Sequence, residues 1–115
     1  MGGKERVLAL LAAVLLLGAG RFTFVAAGTA SWFYPAAEYG RDHVCAMNIE
    51  PPGTRVLVVN RDNGREATCT VIGTGPFIPG RVIDVSLSVA DALGFDGLAS
   101  VSVYRTFPAK VPLPR

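Results

Sequence analysis

Arg55-Val-Leu-Val-Val-Asn-Arg-Asp-Asn-Gly-Arg-Glu-Ala-Thr-Cys-Thr-Val-Ile72 contains two runs rich in β-branched residues, separated by a short polar turn. Each run is too short for a stable helix and carries the branched side chains that pack well on a pleated surface. Asn63-Gly64 supplies the positive φ angles of a hairpin turn, so residues 55–59 and 66–72 are predicted to pair as antiparallel strands. Pro51-Pro52-Gly53-Thr54 leads into the first strand. Gly73-Thr-Gly-Pro-Phe-Ile-Pro-Gly80 leaves the second as a rigid loop, and Arg81-Val-Ile-Asp-Val85 follows as a further strand. Upstream, Thr29-Ala-Ser-Trp-Phe33 alternates small and aromatic residues and stops at Tyr34-Pro35. Downstream, residues 98–104 place Ala99, Val101 and Val103 on one face. One helix is predicted, over residues 86–93, with Ser86 or Ser88 as its cap and Gly94 as its stop. Five or six short strands and one small helix in 115 residues read as an all-β chain closed into a small barrel.

Charge narrows the function. The net charge of +2 comes from Lys4, Arg6 and Arg21 against Glu5, and from Gly28 onward eight Lys/Arg balance eight Asp/Glu. A neutral body with no basic run excludes nucleic-acid binding through a cationic face. Lys4 and Arg6 precede an unbroken apolar run over residues 7–17, a pattern of secretory length but too short to span a bilayer. Val25-Ala26-Ala27 offers a cleavage site before Gly28, and Gly18-Ala19-Gly20 offers a second. Residues 1–27 are thus expected to be a signal peptide, or an uncleaved anchor that would be the chain's one attachment to a membrane. No Cys follows the apolar run to take a lipid. Export makes Cys45 and Cys69 candidates for one disulfide, with two buried free thiols as the alternative. One His and two separated Cys form no recognisable metal-ligand set, and no cofactor is expected.

Five stretches, Gly28-Thr-Ala-Ser-Trp-Phe33, Pro52-Gly-Thr-Arg-Val56, the Asn60 to Gly64 turn, Gly75-Pro-Phe77 and Gly80-Arg-Val-Ile-Asp-Val-Ser86, stand in an order that resembles the rare lipoprotein A-like family. The resemblance covers residues 28–107 and implies a six-stranded double-psi β-barrel with one short helix, related in fold to expansin and barwin domains. Residues 108–115 remain as a Pro-rich tail, expected to fray. Members resembling septal lytic transglycosylases cleave peptidoglycan glycan strands that lack stem peptides. That chemistry needs a proton donor for the glycosidic oxygen and a group that stabilises charge at the anomeric carbon. The family associates these roles with a Glu in the early loop, a His before the Pro-Phe-Gly-Thr turn and an Asp before Arg-Gly-Pro-Phe. Here the His position falls on Met47, and the Asp and Arg positions fall on Gly73 and Thr74. The early loop, residues 34–44, is about ten residues shorter than the family's, which leaves the Glu without a counterpart.

A thioether moves no proton and glycine has no side chain, so the resemblance implies a barrel that has lost its acid–base groups. The implied partner is then a peptidoglycan strand, or an envelope protein, held without being cut. In the alternative, an active lytic transglycosylase, Glu38, Asp42 and His43 would have to substitute, against their simpler reading as solvated loop charges. Asp84 is the best-matched carboxylate, and it is expected to accept backbone N–H groups near the helix start or on a crossing strand. Tyr34, Tyr39 and Phe77 are the expected walls of a glycan groove, because sugar C–H faces lie well on aromatic rings. Arg81 is expected to line it or to pair with a carboxylate. Trp32 and Phe33 are aromatic candidates as well, Trp32 being equally suited to the barrel interior.

Overall fold

A computed structural model describes the backbone of residues 22–110 and the side chains of residues 22–106. The apolar run of residues 7–17 and its Gly18-Ala19-Gly20 cleavage site lie outside the described residues. Six strands close into a barrel: β1 (Phe22–Phe33), β2 (Val44–Ala46), β3 (Thr54–Asn60), β4 (Glu66–Gly73), β5 (Arg81–Ser86) and β6 (Ala99–Lys110). A 3₁₀ turn over Ala37–Tyr39 and one helix, α1 (Leu87–Leu93), complete the described elements. Around the barrel the order is β1-β5-β2-β4-β3-β6. β1 runs parallel to β5 and β2 parallel to β4, and the other four pairings are antiparallel. This is the six-stranded double-psi barrel with one short helix that the sequence predicts.

The predicted hairpin is β3–β4, with Val59 opposite Glu66 and Gly64 at φ 79° in the turn. Its inward positions, Val56, Val58, Cys69 and Val71, join Ala30, Ile83, Val85, Val101 and Val103 in one core. Each fully buried branched side chain contributes roughly 1.5–3 kcal/mol over leaving it exposed. Cys45 and Cys69 form the disulfide, with their Cα atoms 6.0 Å apart and both residues buried. The bridge ties β2 to β4 from the core side and closes a loop of 24 residues in sequence. The chain-entropy model assigns such a loop about 3 kcal/mol.

Helix α1 packs Val89, Ala90 and Leu93 onto the core and ends at Gly94, whose left-handed φ of 73° lets the last carbonyls be satisfied by its own N–H. Buried Asn60 and exposed Asn63 both donate their side-chain amides to the Leu93 carbonyl, at 2.9 and 3.0 Å, so the β3–β4 turn docks on the helix end. Ser86 stands at the N-cap position, but its hydroxyl does not cap the helix. It donates instead to the Asp42 carbonyl and accepts from the Val44 N–H, both at 3.3 Å.

Three elements differ from the sequence expectation. β2 is only three residues long and has no periodicity to read; its strand conformation comes from pairing with β4 on one side and β5 on the other. β6 continues past Tyr104 to Lys110, so the first part of the expected tail is a strand opposite Thr54. β1 begins at Phe22 and not at Thr29. Its first half pairs with β6, from Phe22 opposite Thr106 to Ala27 opposite Ser102.

Candidate functional site

Strand direction decides which candidates meet. β1 and β5 both run toward the end of the barrel carrying residues 34–43, the β3–β4 turn and α1; call this the upper end. The loops of residues 47–53 and 73–80 lie at the opposite, lower end. Tyr34, Tyr39, Glu38, Asp42 and His43 are therefore at the upper end, whereas Phe77 and Arg81 are at the lower. The length of β5 between them is about 16 Å. The two tyrosines and Phe77 do not face each other across one groove.

At the upper end the titratable groups are dispersed. Glu38 and Asp42 are exposed, and Asp42 contributes its backbone carbonyl, which accepts the hydroxyls of Ser86 and Ser88. The exposed His43 ring places Nδ1 3.2 Å from the Thr68 carbonyl, where it can donate. Arg41 pairs with Asp91 across 3.6 Å of solvent-exposed surface, a contact worth little. Among the described residues none of Glu38, Asp42, His43 and Asp84 hydrogen-bonds another. Trp32 is half-buried against the core and meets the exposed Tyr34 ring edge-on, with centroids 5.1 Å apart. It thus fills the wall while supporting Tyr34.

Asp84 lies on the wall between the two ends. Its strand neighbours Ile83 and Val85 are fully buried, so the alternation of β5 turns Asp84 outward. Register then sets four positions in a row across four strands: Ser31 opposite Asp84, Asp84 opposite Ala46, and Ala46 opposite Gly73. The Asp84 carboxylate accepts the Ser31 hydroxyl at 3.0 Å, so its partner is a neighbouring strand and not the helix start. A side chain at Gly73 would meet nothing within 4 Å. The row, here termed the trough, thus carries small side chains and one carboxylate on the outer wall.

Its lower rim is built by Asn48. The side-chain amide accepts the Gly75 N–H at 2.9 Å and donates to the Pro76 carbonyl at 2.7 Å, which clamps the loop of residues 73–80 to the loop of residues 47–53. The clamp leaves Phe77 and Ile49 exposed on the two loops, Phe77 at 80%. Met47, on the position aligned with the family's His, is fully buried in the core, and Thr74 is exposed. Glu50, in the same loop, is only 5% exposed; Arg105 grips both its oxygens, Nε on Oε1 and Nη2 on Oε2 at 3.1 Å. That bond holds the Arg105 guanidinium protonated to above its ordinary range. Both Glu50 oxygens are thereby occupied as hydrogen-bond acceptors.

Sequence reading missed Ser31, Asn48, Glu50 and Arg105. None stands in a repeating pattern, and each acquires its role from a partner at least 27 residues away in sequence. Among the described residues no group of three or more His, Cys, Asp or Glu is placed to hold a metal ion.

No family model matches the chain. It is similar to a protein of Synechocystis sp. named "Probable endolytic peptidoglycan transglycosylase RlpA", at 32% identity over 90% of this chain and 38% of that protein. A Nostoc sp. protein of the same name is 49% identical over 41% of this chain and 13% of its own length. The "Endolytic peptidoglycan transglycosylase RlpA" of Yersinia pestis is 40% identical over 46% of this chain and 15% of its own. The chain thus spans less than two fifths of the length of each of these relatives.

Proposed function

We propose that this barrel, a member of the rare lipoprotein A-like family, is an exported cell-envelope module that holds peptidoglycan glycan strands without cleaving them. The observation that carries the reading is the chemistry of the trough. Met47 is buried, Gly73 has no side chain and Thr74 is no acid, while the one carboxylate in the row, Asp84, is bonded to Ser31. Cleavage of the glycosidic bond asks for a proton donor at the leaving oxygen together with a group that stabilises charge at the anomeric carbon. With one carboxylate and an exposed Phe77 on the rim, the trough is suited to hydrogen-bonding sugar hydroxyls and stacking a sugar face. Tyr34 and Tyr39, at the other end, serve as a separate contact for a long strand or for an envelope protein. A disulfide suits an oxidising compartment, in keeping with export.

Digestion of denuded sacculi tests this directly. The purified chain should sediment with the sacculi and release no anhydro-sugar products over many hours. Product formation would instead support the transglycosylase reading, with Asp84 as the first residue to replace. Failure to sediment at all would leave an envelope protein as the partner.

A further inference from the structure

The lower half of β1 bears on how the chain is processed. Val25-Ala26-Ala27 has the small-residue pattern of a signal-peptide cleavage site, yet the same residues are part of the barrel wall. Ala26 is buried opposite Val103, Val25 packs on the core, and Phe24 meets Tyr104 edge-on with ring centroids 5.8 Å apart. Hydrolysis of the bond after Ala27 would remove all of this and leave residues 102–106 of β6 unpaired on one side. It would also create a charged ammonium at Gly28, in the middle of the wall. Gly28 is enclosed there: a Cβ on it would lie 2.7 Å from Val82 and 2.8 Å from the Gly80 carbonyl. The next residue, Thr29, donates its N–H to that same carbonyl at 3.0 Å. A new terminus at this point would disturb the β1–β5 junction as well as the β1–β6 ladder.

We infer that residues 22–27 are retained in the exported protein, and that the signal is removed by hydrolysis of a single peptide bond at Gly18-Ala19-Gly20, before the first strand residue. The inference rests on the export reading above. Water adds across the bond, leaving a carboxylate on the released peptide and an ammonium on a chain that starts at Ala19, Gly20 or Arg21. Such a terminus precedes Phe22 by one to three residues and leaves every described pairing of β1 intact.

The test expresses the full chain with its own N-terminus in an exporting host and takes intact mass and N-terminal sequence from the envelope fraction. A terminus at residues 19–21 is expected. A terminus at Gly28, or an uncut chain, would overturn the inference. A chain found wholly in the cytoplasm would overturn the export reading, and the cleavage with it. Ala26→Arg provides the second arm, because the middle residue of an Ala-x-Ala-like site is free to vary. If Ala26 stays in the barrel, the exported variant should melt roughly 10 °C or more below the wild type. If the cut falls after Ala27, the two mature proteins are the same molecule, and equal melting temperatures would overturn the inference independently.

Discussion

Ile83 and Asp84 are adjacent on β5 and belong to two different regions of the molecule. Ile83 faces inward with Ala30, Cys45, Val71 and Val85, a surface closed to water and braced by a disulfide. Asp84 faces outward with Ser31, Ala46 and Gly73, a row that is small, polar and half open. The inner surface meets the full demand of a packed core, in which any change of volume is felt. The outer row carries little of that load, so side chains can be lost from it while the barrel remains. A barrel of this kind can therefore keep its fold while the residues of its outer row change.

The contrast can be broken from the inside first. Ile83→Ala should cost about 3 kcal/mol, through lost burial and the cavity left behind, read as a fall in the urea midpoint with little change in slope. The double change Cys45→Ser, Cys69→Ser should cost about 3 kcal/mol or slightly less, and reduction of the wild type should reproduce it. If either change left stability untouched, the inner surface would not be what holds the barrel closed.

At the lower end, Arg105→Leu leaves Glu50 buried without its partner. A buried carboxylate stripped of its guanidinium should lower the urea midpoint by more than any single change in the outer row does. In the wild type the Glu50 hydrogen bond and charge raise the Arg105 pKa, so its contribution is fully present below the ordinary arginine range and is lost only as the pH climbs through the higher folded value.

Changes in the outer row should cost less stability than changes in the core and act on binding instead. Ser31→Ala removes one hydrogen bond and should cost about 1 kcal/mol. Asp84→Asn keeps the acceptor for Ser31 and should change stability by less than about 0.5 kcal/mol, while weakening co-sedimentation with sacculi. Equal retention of Asp84→Asn and wild type would move the binding surface away from the trough.

How far each feature could be read depended on where its cause lies. The β3–β4 hairpin, β5, the Gly94 stop and the Cys45–Cys69 candidate pair were legible because each rests on local pattern or on compartment. β2 was not, since three residues carry no period and the neighbouring strands impose the conformation. The first half of β1 was hidden for a different reason: Phe22-Thr-Phe-Val-Ala-Ala27 reads equally as the end of an export signal and as a strand. Asn48 and Arg105 had no local signal, because their partners are brought to them by the closure of the barrel.

By itself, the order of short β-branched runs, turn residues and five family-like stretches determined a small double-psi barrel, with Met47 and Gly73 where the resemblance leads one to expect titratable groups. Only the tertiary structure decided that Tyr34 and Tyr39 stand at one end while Phe77 and Arg81 stand at the other. Only it decided that Asp84 faces outward beside Ser31 in a trough. The reason is that local sequence sets side-chain alternation and turn geometry, whereas strand direction and register across non-adjacent strands arise from closing the barrel around a shared core.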